Sequence, residues 1–265
     1  MGTAAGAYLA VGRQSFRRQA SYRGAVAAGI FTNTVFGVIL ASVMLAVFRE
    51  RHVIGGIDAA DAVTLTFVAQ GLLVVVATFG WRELTLRVRS GEVAVDLQRP
   101  LDPSWYWLSV FCGSSAFSMI GRGIPPFVAG MVVFRMTLPQ HAVTWLWFAL
   151  TVVGAAFVAA RWWFCVSLSA FWFGGDVRGV IQLAATVQLF CSGSLVPLQF
   201  LPGGLAGVVR HSPFATLTQL PAETLLERQG PLGVLGAQLF WFVVLDVVGR
   251  LGWRLAARRL VIDGG

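Results

Sequence analysis

The chain has 265 residues, of which 57% are hydrophobic and only 12% charged, against the roughly 25% charged residues of a soluble domain. With a mean hydropathy of +0.74, that excludes a water-soluble fold and leaves room for about six membrane spans with their loops. The net charge of +8 comes from 20 basic residues, all arginine. Spread among apolar runs, they read as residues held on the cytoplasmic side of a bilayer and not as a nucleic-acid surface.

Residues 1–23 carry Arg13, Arg17, Arg18 and Arg23 without an acid, with Tyr8, Phe16 and Tyr22 between them. This pattern predicts an amphipathic helix lying on an anionic leaflet. The apolar run that follows, Ala25–Val47, is longer than the core of a cleaved signal peptide and is taken as span one. A mixed-charge loop, Arg49–Asp61, leads to span two, Val63–Phe79, which ends at Trp81, an interfacial anchor.

Trp81–Pro103 is then a polar island of 23 residues between two apolar runs. It sets Arg82, Arg87, Arg89 and Arg99 against Glu83, Glu92, Asp96 and Asp102. It is too polar for lipid and must project from the membrane, as a short cytoplasmic helix with an Arg-Pro turn or as an ordinary loop. The next stretch, Trp105–Phe134, is interrupted by Gly121-Arg122-Gly123 and Pro125-Pro126. Proline breaks the backbone ladder and a bare arginine in lipid is costly. The expectation is an interfacial piece, Trp105–Ile120, leading into span three with Arg122 near the cytoplasmic headgroups. Two separate spans are the alternative.

Span four runs from Val143 toward Phe173 and places Arg161 near the inner interface, where its side chain can snorkel. A tight turn, Gly174–Gly179, precedes span five, Val180–Leu198. Residues 199–231 are rich in Gly and Pro yet apolar. They are too broken for a span and too oily for a free loop, and such backbone persists at membrane depth only when covered by protein or lining a cavity. The expectation is a set of short re-entrant helices dipping from the external face, with a surface loop as the alternative. Span six, Leu232–Val248, is followed by Arg250, Arg254, Arg258 and Arg259. In this six-span layout thirteen arginines fall in the N-terminal segment, the island, the Gly-Gly-Asp turn and the C-terminus, against five in the opposite loops. The bias puts both termini in the cytoplasm. The predicted fold is thus all-α and polytopic: an interfacial helix over 1–23 and one six-helix transmembrane domain over 24–265.

The chain has no lysine, so it has no phosphate-binding P-loop, and neither a G-x-S-x-G elbow nor an H-E-x-x-H motif occurs. Cys112, Cys165 and Cys191 lie singly in apolar surroundings and His52, His141 and His211 are scattered, so no disulfide framework or metal site is expected. Asp246 is the one acid firmly inside a span. It reads as an i,i+4 partner of Arg250 or as a proton relay.

Four features, in this order, resemble the small six-span permease subunits of ABC-2 type exporters. They are the Arg-rich N-terminal helix; the island's end, Leu97-Gln98-Arg99-Pro100-Leu101-Asp102-Pro103; Ser169-Ala170-Phe171-Trp172 ahead of the Gly-Gly-Asp turn; and Ser192–Pro202 (SGSLVPLQFLP) with Ser212-Pro213-Phe214 and Pro221 downstream. The resemblance covers almost the whole chain. It implies that the island is a coupling helix seated on a separate ATPase subunit and touching it through Glu83, Arg87, Arg89 and Asp96, with Arg99-Pro100 stiffening its exit. It further implies that two permeases, identical or homologous, pair with two ATPases, and that ATP and Mg bind the ATPases while this chain binds no cofactor and is not an enzyme. The pathway would run between the permeases, past Phe31, Phe36, Phe67 and Phe190, to an external gate at Pro197, Phe200, Pro202 and Phe214. Cargo on this reading is a lipid-like, drug-like or peptide molecule. A membrane scaffold without a transport path, and a proton-coupled transporter using Asp246, are the competing readings.

Overall fold

Three helices begin where the sequence supplies a start signal. Asp58 and Asp61 cap one helix reciprocally: the Asp61 amide donates to Asp58 Oδ1 at 2.9 Å and the Asp58 amide to Asp61 Oδ2 at 3.2 Å, satisfying donors that a helix N-terminus leaves open. Asp102 accepts from the Trp105 amide at 3.1 Å with Pro103 in the first turn, and Gly230-Pro231 opens the last helix.

The computed structural model describes residues 4–50, 52–76, 80–98, 100–173 and 177–258. The elements in order are α1 (Ala4–Ala20), α2 (Arg23–Val47), α3 (Ala59–Val76), α4 (Gly80–Ser90), α5 (Val93–Leu97), α6 (Pro103–Ser118), a π-helical turn (Met119–Gly123), α7 (Ile124–Val133), α8 (Ala142–Leu168) with a 3-10 turn (Ser169–Phe171), α9 (Arg178–Cys191), a 3-10 turn (Leu198–Phe200), α10 (Gly203–Arg210), a 3-10 turn (Ala215–Leu217), α11 (Gln219–Leu225) and α12 (Pro231–Ala257). Among the described residues, five helical runs are long and apolar enough to cross a bilayer: Arg23–Val47, Ala59–Val76, Pro103–Val133, Ala142–Phe171 and Pro231–Ala257. The chain is an all-α, polytopic membrane protein.

Two spans differ from expectation. The fifth stops at Cys191 instead of running to Leu198, so α9 has 14 residues and covers about 21 Å. The chain turns at Gly193, whose φ of +77° is a left-handed conformation, and the Ser192 carbonyl accepts from the Gln219 amide at 3.1 Å. The third forms one unbroken helical run from Pro103 to Val133. The π turn at Met119–Gly123 sits just ahead of Pro125-Pro126. A widened turn there accommodates prolines that an α-helix interior would reject.

The two halves of that run keep different company. α1 lies along α6 in the same direction. The Asp102 amide donates to the Tyr8 hydroxyl at 2.9 Å, the Ser15 hydroxyl to the Val110 carbonyl at 2.7 Å, and the Phe16 and Phe117 rings meet edge-on at 5.3 Å. Gly12 and Gly113 set the closeness: a Cβ on Gly113 would sit 2.1 Å from the Gly12 carbonyl oxygen. Beyond the π turn, α7 packs instead on α2 and α3. Phe67 of α3 fills a notch between Gly37 and Gly130, where a Cβ would come within 2.7 and 2.5 Å of its ring; small residues let the three backbones close up. α8 packs along α12.

Arg161 does not snorkel. It is 1% exposed, and its place is part of the site.

Candidate functional site

α4 and α5 join the end of α3 to the start of α6 and form the polar island. Leu84 and Val93 are buried, Leu84 against Trp107, Phe164 and Leu168 of the helices below. The charges are arranged around that anchor. Arg87 donates to Asp96 at 2.7 Å, which ties α4 to α5, and approaches Glu83 at 4.0 Å. Glu83 in turn pairs with Arg18 of α1 at 2.5 Å, and this bond holds the Arg18 guanidinium above its ordinary pKa. Asp96 is buried. Three of the four residues expected to meet a partner, Glu83, Arg87 and Asp96, are therefore spent on holding the island together. Arg89, Leu86, Glu92 and Val95 are exposed, and an open groove lined by Arg18, Leu86, Arg89, Ser90 and Glu92, with the paired Glu83 and Arg87 also in its wall, runs along the island. Pro100 is exposed; Arg99 lies outside the described residues, as does Gly174–Asp176 of the expected tight turn.

The island's exit is a junction of three helices, α6, α8 and α12. Asp102 pairs with Arg250 of α12 at 2.8 Å. Arg250 also donates to Asp246 at 2.8 Å, the expected i,i+4 pair. Asp246 is shared further: Arg161 of α8 lies 3.1 Å from it and the Ser104 hydroxyl of α6 donates to it at 3.2 Å. Arg161 closes the circle by donating to the Ser104 carbonyl and hydroxyl at 2.8 and 2.7 Å, between the Trp105 and Phe242 rings at 5.2 and 5.1 Å. Asp246 was legible as a partner of Arg250, but Arg161 and Ser104 were not, because they come from distant parts of the chain.

At the other end of the bundle lies the segment from Ser192 to Gly230. Its last turn is fixed at the starts of two long helices. Glu227, with a φ of +58°, accepts from the Thr144 hydroxyl at 2.6 Å and the His141 amide at 3.0 Å. Those bonds, the Thr144 hydroxyl first, hold its carboxyl down at about 2. Arg228 pairs with Asp61 and donates to the Gly56 carbonyl. From there the chain dips inward. α11 is buried along its whole length against α8 and α3, and the Phe214 ring meets Trp162 at 4.9 Å. Thr144 and Trp162 are 18 residues apart on α8, about 27 Å along a helix, so the segment penetrates deeply.

Its polar groups are satisfied inside. Glu223, 3% exposed, binds Arg210 (2.9 Å to Nη1), Gln219 at 2.9 Å and Gln199 at 3.0 Å. Gln238 of α12 donates to the Thr151 and Thr216 carbonyls at 2.8 and 2.9 Å. The sequence reading missed this cluster; the signal was Gln199, Gln219 and Glu223 standing in an otherwise apolar stretch.

The expected path and gate residues scatter. Phe31, Phe36 and Phe190 are exposed on α2 and α9, whereas Phe67 is wholly buried inside the chain. Pro197 is buried, Pro202 exposed, Phe200 packs on Phe48 at 6.1 Å and Phe214 on Trp162. A family model described as ABC-2 family transporter protein matches residues 32–264. No curated protein matches the chain, and no solved structure does.

Proposed function

The chain belongs to the ABC-2 transporter family, a multi-pass membrane permease component that works with ABC ATPases, and from that premise we propose that it is the export permease of an ATP-driven complex. In this reading α4 and α5 dock on the ATPase, and ATP and Mg bind there and not on this chain. A second permease, identical or homologous, completes the pathway, whose cargo is lipid-like, drug-like or a peptide. The observation that carries the proposal is the build of the island. Glu83, Arg87 and Asp96 are paired, the island is anchored by Leu84, and it leaves a mixed face of Leu86, Arg89, Glu92 and Val95 open at the joint between α3 and α6.

The docking residues are then Arg89, Leu86 and Val95, while Glu83, Arg87 and Asp96 keep the island in shape. The Ser192–Gly230 segment acts as the re-entrant gate at the external end, and α1 with its arginines props the island from the cytoplasmic leaflet. Both termini are cytoplasmic in this arrangement, and the membrane is the cell membrane. Asp246 is held between two guanidiniums and a serine hydroxyl, an anchor's environment and a poor one for a relay that must exchange protons.

The test is a mild-detergent pull-down from native membrane. Wild type is expected to bring a P-loop ATPase; Arg89→Glu combined with Leu86→Glu is expected to lose it while still inserting. Full retention of the ATPase by that variant would remove the docking face, and absence of any ATPase from wild type would favour the scaffold reading.

A further inference from the structure

α12 carries a polar anchor at two levels. Near the island, Asp246 and Arg250 bind Asp102, Ser104 and Arg161. Eight residues earlier, about 12 Å along the helix, Gln238 is 2% exposed and holds two carbonyls, Thr151 of α8 and Thr216 of the re-entrant segment. Between the levels α8 and α12 run side by side in close contact. The Phe157 and Phe242 rings meet edge-on at 5.9 Å and the Cys165 thiol reaches the Leu245 carbonyl at 3.4 Å; at the levels themselves a Cβ on Gly249 would come within 2.9 Å of the Phe164 ring, and one on Gly154 within 2.1 Å of Gln238 Oε1. Apolar packing alone would hold two such helices, and a buried arginine is costly in a membrane. The cluster is therefore poorly explained by stability, whereas it does fix which part of the chain rides on α8 and α12.

We propose that Asp102, Arg161, Asp246 and Arg250 at one level and Gln238 at the other make α8 and α12 a single connecting rod between the island's exit and the re-entrant segment. The flanking helices α3 and α6 are then only one of two connections. Displacement of Asp102 pulls Arg250, the α8–α12 pair moves as a body, and Gln238 carries the movement to Thr216. All four ionic members and Gln238 are positioning residues. Coupling of this kind is reciprocal, so disturbing either anchor is felt at the other. A claim of connection requires that coupling be measured and not read off proximity.

The experiment is hydrogen–deuterium exchange on the purified chain in lipid nanodiscs, which needs neither ATPase nor cargo and so fails or succeeds independently of the docking assignment. Asp102→Asn keeps an oxygen to cap α6 but removes the charge that Arg250 holds. Exchange over residues 203–217 is expected to rise at least threefold. Arg18→Gln cuts another ion pair at the island and is expected to leave 203–217 unchanged. Should the first variant not fold, Gln238→Leu is expected to raise exchange over 100–106 by a similar factor. Exchange confined to 98–110 in Asp102→Asn overturns the proposal, and so does exchange confined to 211–219 in Gln238→Leu. An equal rise over 203–217 in Arg18→Gln also overturns it, because the effect would then be general loosening.

Discussion

The island and the Ser192–Gly230 segment are both runs of short helices between longer apolar ones, yet they are built in opposite ways. The island pairs its charges at its base and turns Leu86, Arg89 and Val95 outward. The Ser192–Gly230 segment leaves α10 largely exposed but buries most of its second half, with α11 covered along its length and Glu223 bound by three side chains inside. On the proposed function, a docking surface keeps its shape through ion pairs and leaves a face free. A closure at membrane depth, on the same proposal, has no water to satisfy its backbone and side chains, so its partners must come from protein, from within the segment or from the helices around it.

The largest effect that would break this contrast is at Glu223. Glu223→Leu takes the shared acceptor from Arg210, Gln199 and Gln219, leaving Arg210 with Gln229 at 3.3 Å and Gln219 with Gln199 at 3.0 Å, and is expected to cost about 3 kcal/mol in denaturant unfolding of the purified chain, a figure already reduced because Arg210 is partly exposed. A loss under about 1 kcal/mol would make the segment no better anchored than the island. Next is Gly113→Ala, which drives α6 off α1 and is expected to cost about 2 kcal/mol. Faster tryptic cleavage at Arg17 and Arg18 would report α1 leaving its bed, and unchanged cleavage would mean that the island's prop is independent of it.

Acid sharpens the comparison at the segment's last turn. The Glu227 carboxyl sits at about 2, below its ordinary value of 4.5. A depressed folded value means that its contribution is complete above about 4.5 and is lost as pH falls toward 2. Wild type is thus expected to melt above Glu227→Gln at pH 6, with the gap closing between pH 4.5 and pH 2. A gap that stays constant would remove the carboxylate from the account. The smallest stability effect is expected from Arg89→Glu, within about 0.5 kcal/mol. Arg87→Glu, which sets a like charge beside the buried Asp96, should cost more, and equal costs would mean that the Arg87–Asp96 pair does not shape the island.

Much of the fold was legible because it rests on local signals. Long apolar runs gave the spans, and the charge reversal at 81–103 gave the island. Asp102-Pro103 marked a helix start that the structure uses. The misses were tertiary. Arg161 looked like a snorkelling residue because its depth along the helix could be counted, but its partners, Ser104 and Asp246, lie 57 and 85 positions away. Phe67 looked like a pathway aromatic until two glycines on other helices proved to hold its ring. Span five was drawn too long because hydropathy continues through Val196 and Leu198 while the backbone turns at Gly193. In the island, composition could show which charges were present but not which were already paired.

The break between α1 and α2 and the π turn between α6 and α7 lie at the same height. Val26 comes within 3.6 Å of where a Cβ on Gly121 would stand, and Gly29 lies under the Arg122 side chain. Two layers are therefore folded along one crease, like a doubled sheet of paper. α1 is fastened to α6 on one side of the crease and α2 to α7 on the other, so neither layer can change its angle alone. Any swing of the leaf that carries Asp102 must turn both layers about that common line.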